Sequence, residues 1–349
     1  MKIAGIGVAI PSRRVDNDAV VQLIAEQRPR DAMSSVVARS AMDLLLSAGS
    51  GVRYYRDLER GERAADMVAA AMQGALAQAG IAATDIDLLV YCGIGRGFIE
   101  PGNAYVCADQ LGVRCDCFDI SDACMGWLRA VQVAYDSMRA GRYRNVLVVN
   151  AEFSIYEHFN DCFRVTSPLE LRRTFAAFTL GEAATATVLS ASPDCWTFAY
   201  RSRPDLAGLC TFPLPGHEGF VTPGSELSRA KSMSFRAYSG ELFTAASAEL
   251  AALIEEQISD VTEPRLYVPH AASSTAAKAL AQHLGMPDQQ MYSEVMPRYG
   301  NVASASVPLG LHCAANEERL LAGDDVVLCP ASAGVSVAVA RFRWHPMGC

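Results

Sequence analysis

What the sequence lacks narrows it first. It has no basic stripe of the kind that grips nucleic acid: 38 acidic residues outnumber 30 basic ones, for a net charge of −8. It has no apolar run of the ~20 residues that a membrane-crossing helix needs. No charged-then-apolar leader precedes residue 20. Its 11 cysteines are scattered without paired spacing. Cys115 and Cys117 form a C-x-C pair, but no second pair stands at zinc spacing, so they read as strand residues facing one side, with no metal site. These absences predict a cytoplasmic protein with free thiols, no nucleic-acid partner and no membrane partner. Charged residues are only 19% and hydrophobic ones 51% of 349. That is enough apolar material for two domains or one large layered unit.

Short apolar strands alternate with alanine-rich helices. Strands are expected at 3–10, 86–92, 146–152, 184–189, 266–268, 326–329 and 335–342. Helices are expected at 64–79, closed by Gly80, and at 125–140, 242–258, 273–283 and 303–321. This alternation argues for an α/β layered fold. Residues 200–240 are richer in Gly, Pro and Ser and read as a loop-rich insertion. One echo links the two halves. Met138-Arg139-Ala140-Gly141 leads into Val146-Leu147-Val148-Val149, and Leu320-Leu321-Ala322-Gly323 leads into Val326-Val327-Leu328. In both, a helix ends at Ala-Gly, turns through polar residues and enters a buried strand. A duplicated fold would produce that repeat.

Cys124 lies in Asp122-Ala123-Cys124-Met125-Gly126-Trp127, between a strand-like run and the helical pattern starting at Met125. A helix N-terminus favours a thiolate, which makes Cys124 a candidate nucleophile. His270, in Val268-Pro269-His270, follows a strand and precedes a helix. Asn301, in Tyr299-Gly300-Asn301, precedes another. A cysteine nucleophile needs a proton partner and donors for the oxyanion formed on attack. Imidazole and carboxamide can both donate without carrying charge. Each residue also has an ordinary structural reading: a buried thiol, a core histidine, a helix cap.

The three segments together resemble the β-ketoacyl synthase III branch of the thiolase superfamily, the condensing enzymes. Ala123-Cys124-Met125-Gly126 is similar to the family's nucleophile setting and Pro269-His270 to its Pro-His. Gly300 to Pro308, with Asn301 in place, is similar to its Gly-Asn-x-x-small-small-Ser-x-Pro. The likeness runs from Gly51-Val52-Arg53 to Ala333-Gly334-Val335-Ser336. It implies a thiolase fold, a duplicated five-layer αβαβα sandwich. Residues 1–190 would form the half carrying the nucleophile, and residues 191–349 the half carrying His and Asn. It also implies a homodimer. Substrates would be acyl-CoA or acyl-carrier-protein thioesters, with no bound cofactor. Cys124 would take the acyl group, with oxyanion donors at the backbone N–H groups of Cys124, Ala333 and Gly334. His270 and Asn301 would hold the enolate of a malonyl thioester as it loses CO2.

Several positions depart from the pattern. Pro269-His270-Ala271-Ala272-Ser273 lacks the polar neighbours of the family's Pro-His-Gln-Ala-Asn. Ala331-Ser332-Ala333-Gly334 stands where housekeeping synthases have a glycine run, and Gly181-Glu182-Ala183-Ala184 where they have Gly-Asp-Gly-Ala. Lys278 is the one basic residue near the place where carrier-protein-binding relatives carry several. These changes point to specialised metabolism. Glu100, in Phe98-Ile99-Glu100-Pro101, lies in the loop that reaches across the dimer in the family. It resembles the base of head-to-head acyl-CoA condensing enzymes that do not decarboxylate; the alternative is a solvated residue before proline. Cys329 reads as a core cysteine, and Trp127 and Phe178 as core packing. Two further alternatives are acyl transfer to a small-molecule hydroxyl or amine, and a non-catalytic partner subunit.

Overall fold

The computed structural model describes residues 1–27, 32–258, 264–270 and 272–348. Two sheets organise them. The first contains β1 (Lys2–Ala9), β2 (Leu88–Tyr91), β3 (Asp116–Asp119), β4 (Asn145–Glu152) and β5 (Ala183–Ser190), in the order β1-β5-β4-β2-β3. The second contains β6 (Thr197–Ser202), β7 (Leu266–Val268), β8 (Asp325–Leu328), β9 (Ala331–Ser332) and β10 (Ser336–Arg343). Its order is β7-β8-β10, with β6 and β9 both paired to β10.

The sheets repeat one topology. In the first, β1 and β4 run antiparallel to β5, and β2 runs parallel to β4. In the second, β6 and β8 run antiparallel to β10, and β7 runs parallel to β8. The counterpart of β3 shrinks to one parallel bridge, Tyr267 to Met291. The Ala-Gly echo falls on equivalent strands, because Gly141 precedes β4 and Gly323 precedes β8.

Alternation along the strands builds five layers. In β2 and β4, Leu89, Tyr91, Leu147 and Val149 pack outward against Ala71, Met72 and Ala75 of α1 (Ala64–Ala79). Leu88, Val90, Val146 and Val148 face the other way. There they meet α2 (Gly126–Arg139) and α4 (Ser306–Asn316), which are sandwiched between the sheets. The second sheet mirrors this. Val326, Leu328, Ala338 and Ala340 face the central helices. Val327, Val337 and Val339 face Leu250 and Ile254 of α3 (Ser239–Ile258). The core of α4 is apolar on all sides, with Val307, Leu309, Leu311 and Ala314 buried, as a helix between two sheets must be. Each such Val or Leu side chain contributes about 1.5–3 kcal/mol on burial.

Most expected elements appear within two residues of their expected ends, and Ala64–Ala79 appears with the expected bounds, stopped by left-handed Gly80. One helix differs. In place of a helix over 303–321, a 3-10 turn at Ala303–Ala305 leads into Ser306–Asn316. The helix stops there because Glu318 takes φ 56, and the Arg319 N–H turns back to the Ala314 carbonyl. Residues 200–240 hold three 3-10 turns and a two-stranded ribbon, Cys210–Thr211 with Arg236–Ala237. The sequence reading did not anticipate the helices Asn17–Glu26, Ala32–Ser47, Asn103–Leu111 and Pro168–Phe178, nor the ribbon Arg13–Asp16 with Val52–Tyr55.

Candidate active site

Cys124 sits in a 3-10 turn, Ala123–Met125, that feeds α2. Ala123 adopts φ 45, a bend that L-residues seldom make. Gly126 closes the approach to the sheet, since a Cβ there would lie 2.6 Å from the Cys92 carbonyl oxygen. The second half repeats the device. The turn Ala303–Ala305 feeds α4, and Ala303 adopts φ 43. The two turns pack on each other, so the repeat brings Cys124 of one half against the segment following Asn301 of the other.

Asn301 is buried and fixed on three sides. Its N–H donates to the Thr179 carbonyl at 2.8 Å, and its carbonyl accepts from the Gly181 N–H at 3.0 Å. Its Oδ1 accepts from the Ala303 N–H at 2.9 Å, which leaves the amide to present its NH2 as donor on the other side. Gly300 makes this close approach feasible. It has φ 75, and a Cβ would meet the Thr179 oxygen at 2.7 Å and the Arg53 Cβ at 2.8 Å.

His270 follows Pro269 at the end of β7. Its carbonyl accepts from the Ala331 N–H at 3.4 Å, which joins it to the β9–β10 hairpin. That hairpin packs on the Cys124 turn through Ala331–Ser332. Its bend, Ala333–Val335, contains Gly334 at φ 127. The imidazole is 4% exposed, and its Nδ1 has no partner among the described residues. Burial pushes its pKa down to about 4, so it is neutral near pH 7 and can offer an N–H donor without a positive charge.

The thiol behaves differently from the sequence expectation. A helix N-terminus should favour the thiolate, but burial dominates and raises the Cys124 pKa above its ordinary value. The nearby Glu152 and Cys210 raise it further, while its own backbone N–H and the Ser332 hydroxyl oppose the rise. The α-helix begins only at Gly126, beyond the turn. The residue keeps part of its surface open, so the resting group is an accessible, protonated thiol that loses its proton as it reacts.

Glu152 is the principal group that the sequence reading missed. It ends β4, fully buried, and burial raises its pKa to about 8. Its Oε1 accepts from the Ser304 hydroxyl at 2.5 Å, and its Oε2 accepts from the Ile94 N–H at 3.2 Å. Ser304 in turn accepts from the Asn150 amide at 2.6 Å. Ser304 occupies the position in the second bend that Cys124 occupies in the first.

Glu100 is exposed in this chain, in a loop where Phe98 and Ile99 are 53% and 87% exposed. Cys329 is fully buried on the outer face of the second sheet, among Val335, Val337 and Ala281. Trp127 packs in the core with its indole N–H on the Thr187 hydroxyl at 3.0 Å, and Phe178 packs at a tilt beside Phe163. Cys115 and Cys117 turn the same way, with sulfurs 3.8 Å apart. Among the described residues, no group of three or more His, Cys, Asp or Glu could hold a metal, and no helix is long and apolar enough to cross a membrane.

A twice-built αβαβα sandwich with a cysteine bend at its centre defines the thiolase-fold condensing enzymes. Residues 118–203 match the family model for 3-oxoacyl-[acyl-carrier-protein] synthase III, and residues 254–344 match the model for its C-terminal part. Together the matches span just over half of the chain, which belongs to the β-ketoacyl synthase III-like family of condensing acyltransferases. The β-ketoacyl-[acyl-carrier-protein] synthase III of Gloeobacter violaceus is 27% identical over 99% of this chain and 98% of its own. That of Roseiflexus castenholzii is 28% identical over 98% and 97%. Among solved structures, a Cys-to-Ser variant of Xanthomonas campestris OleA with bound lauric acid and lauroyl-CoA superposes with a TM-score of 0.82, at 22% identity and 98% coverage of both chains. The Aquifex aeolicus 3-oxoacyl-[acyl-carrier-protein] synthase III gives 0.78, also at 22% identity, over 98% of this chain and 99% of its own. At that identity the superpositions establish the thiolase fold.

Proposed function

We propose that this protein joins two acyl thioesters by Claisen condensation through an acyl group held on Cys124. The observation that carries this reading is the meeting of three segments distant in sequence. The Ala123–Met125 turn packs on both Ala303–Ala305 and Ala331–Ser332, and His270 is tied to the second of these. In this reading residues 1–190 supply the sulfur and residues 191–349 supply the histidine and asparagine.

The Cys124 sulfur attacks the first thioester carbonyl. The C–S bond to the carrier thiol breaks, and the thiol proton leaves with the departing sulfur. Backbone N–H groups of Cys124 and of the Ala333–Gly334 bend receive the oxyanion. A malonyl thioester then binds with its carbonyl oxygen toward His270 and Asn301. Its carbon–carboxylate bond breaks, CO2 leaves, and the electron pair moves into an enolate held by the two neutral donors. A neutral imidazole suits this role, because its hydrogen bond strengthens as charge collects on the oxygen. The enolate carbon attacks the acyl carbonyl on Cys124, the C–S bond breaks, the sulfur takes up a proton from solvent to restore the thiol, and a β-ketoacyl thioester departs. The carriers are CoA or an acyl carrier protein, the working unit is a homodimer in the cytoplasm, and the setting is specialised metabolism.

A second reading rests on the Phe98–Pro101 loop. Two exposed apolar residues beside Glu100 suit insertion into a partner subunit, where the carboxylate would remove an α-proton and make decarboxylation unnecessary.

Incubation with radiolabelled acyl-CoA and then malonyl-CoA separates the readings. Label on the protein that discharges only with malonyl-CoA, with CO2 released, supports the first. Discharge by a second acyl-CoA alone, abolished in Glu100→Gln, supports the second. Discharge by an alcohol or amine indicates acyl transfer. Absence of label indicates a non-catalytic subunit. Label persisting in Cys124→Ala refutes the nucleophile assignment.

A further inference from the structure

Two hydroxyls remain unexplained beside the candidate site. Along β10, Val337 and Val339 face the outer helices, while Ala338 and Ala340 face the central layer. By that alternation Ser336 faces the central layer as well. Ser332 pairs directly with Ser336 in the antiparallel ladder, and directly opposed residues share a face. The two are 5% and 6% exposed, and neither Oγ has a hydrogen-bond partner among the described residues. Native interiors seldom leave two hydroxyls side by side without a bond. The segment they adjoin is the Cys124 turn, against which Ala331–Ser332 packs.

We propose that Ser332 donates a hydrogen bond from its hydroxyl to the Cys124 sulfur as negative charge collects there, with Ser336 supporting it from across the ladder. The proposal rests on the reading of Cys124 as nucleophile. No covalent bond changes at the serine, which keeps its proton throughout. The interaction answers a need that the site creates. Burial opposes a thiolate at Cys124, and the buried imidazole of His270 brings no positive charge. A neutral donor offsets this without adding a second ion. Between turnovers it has no charged acceptor, which accounts for its orphaned state.

The test is alkylation of Cys124 by iodoacetamide as a function of pH, read on the Cys124 peptide by mass spectrometry, in the full-length protein. Ser332→Ala should move the midpoint up by about one pH unit, which slows alkylation about tenfold at any pH below it. Ser332→Thr should keep the wild-type profile, and Ser336→Ala should shift it less. Ser332→Gly is a second deletion of the hydroxyl should the alanine variant not fold. A folded Ala or Gly variant with the wild-type profile overturns the proposal. A wild-type Cys124 that resists both alkylation and acylation overturns the nucleophile reading beneath it, and the proposal with it.

Discussion

Glu152→Gln tests whether the buried centre between the two halves carries a proton. The carboxyl has an ordinary pKa of 4.5, and in the folded chain burial raises it to about 8, against the opposing hydrogen bonds from Ser304 and Ile94 and the attraction of Arg96. Below pH 4.5 both folded and unfolded chains hold the proton, and no penalty exists. Between 4.5 and 8 the unfolded chain releases it while the folded chain keeps it, so stability falls as pH rises. At about 1.4 kcal/mol per unit, the loss reaches roughly 3 kcal/mol by pH 7. Glutamine copies the neutral form and removes that loss. Its NH2 forfeits one of the two accepted hydrogen bonds, at a cost of about 1 kcal/mol. The variant should therefore melt below wild type at pH 5 and above it at pH 7.5, with a crossing between. For a chain of this size the gain near pH 7.5 is on the order of 4 °C. Thermal unfolding followed by circular dichroism at half-unit pH steps reads the difference. Parallel curves, with no crossing, would refute the assignment of a protonated Glu152.

Other expectations follow from the same geometry. Gly300→Ala should cost more than about 2 kcal/mol and most of the condensing activity, because its Cβ collides with the Thr179 carbonyl and Arg53 and displaces Asn301; denaturant melts and a condensation assay check both. Arg56 is buried between Glu182 and Glu157, at 3.0 and 2.7 Å. Arg56→Met strands the buried Glu182 charge and should destabilise by about 3–5 kcal/mol, read by urea unfolding. Because burial holds His270 near pKa 4, malonyl decarboxylation should persist as pH falls through 6.5 and fail only toward 4, where the ring gains its proton. A profile that halves near 6.5 would contradict a buried, neutral imidazole.

The layered scaffold was legible because it rests on periodicity. Strand Asn145–Glu152 carries the continuous apolar run Val146-Leu147-Val148-Val149, and Ala64–Ala79 is followed by a glycine that takes the left-handed conformation. Two helices outside the main alternation were missed although they carry readable starts. Asp16 caps Asn17–Glu26, and Ser167 with Pro168 and Glu170 opens Pro168–Phe178. Arg13–Asp16 has three charged residues in four and offers no apolar alternation at all. At the site, Cys124, His270 and Asn301 stood out through family motifs. Glu152 did not, since a lone carboxylate at a strand end looks like any strand-terminating charge. Its partner was within reach of the repeat: aligning Ala123-Cys124 with Ala303-Ser304 picks out Ser304 as the second half's counterpart of the thiol. The thiol's raised pKa was not legible, because burial is a property of the assembled layers and not of the helix that follows.

The left-handed alanines, Ala123 and Ala303, mean that one backbone crook is made twice, once around a sulfur and once around an oxygen, and the two lie back to back. Interiors this dense pass displacement on and do not absorb it. In the proposed reaction, an acyl group on Cys124 would press on the Ala303–Ala305 turn, whose Ala303 N–H holds the Asn301 side chain. On that reading, filling the first substrate's seat would be felt mechanically at the second's.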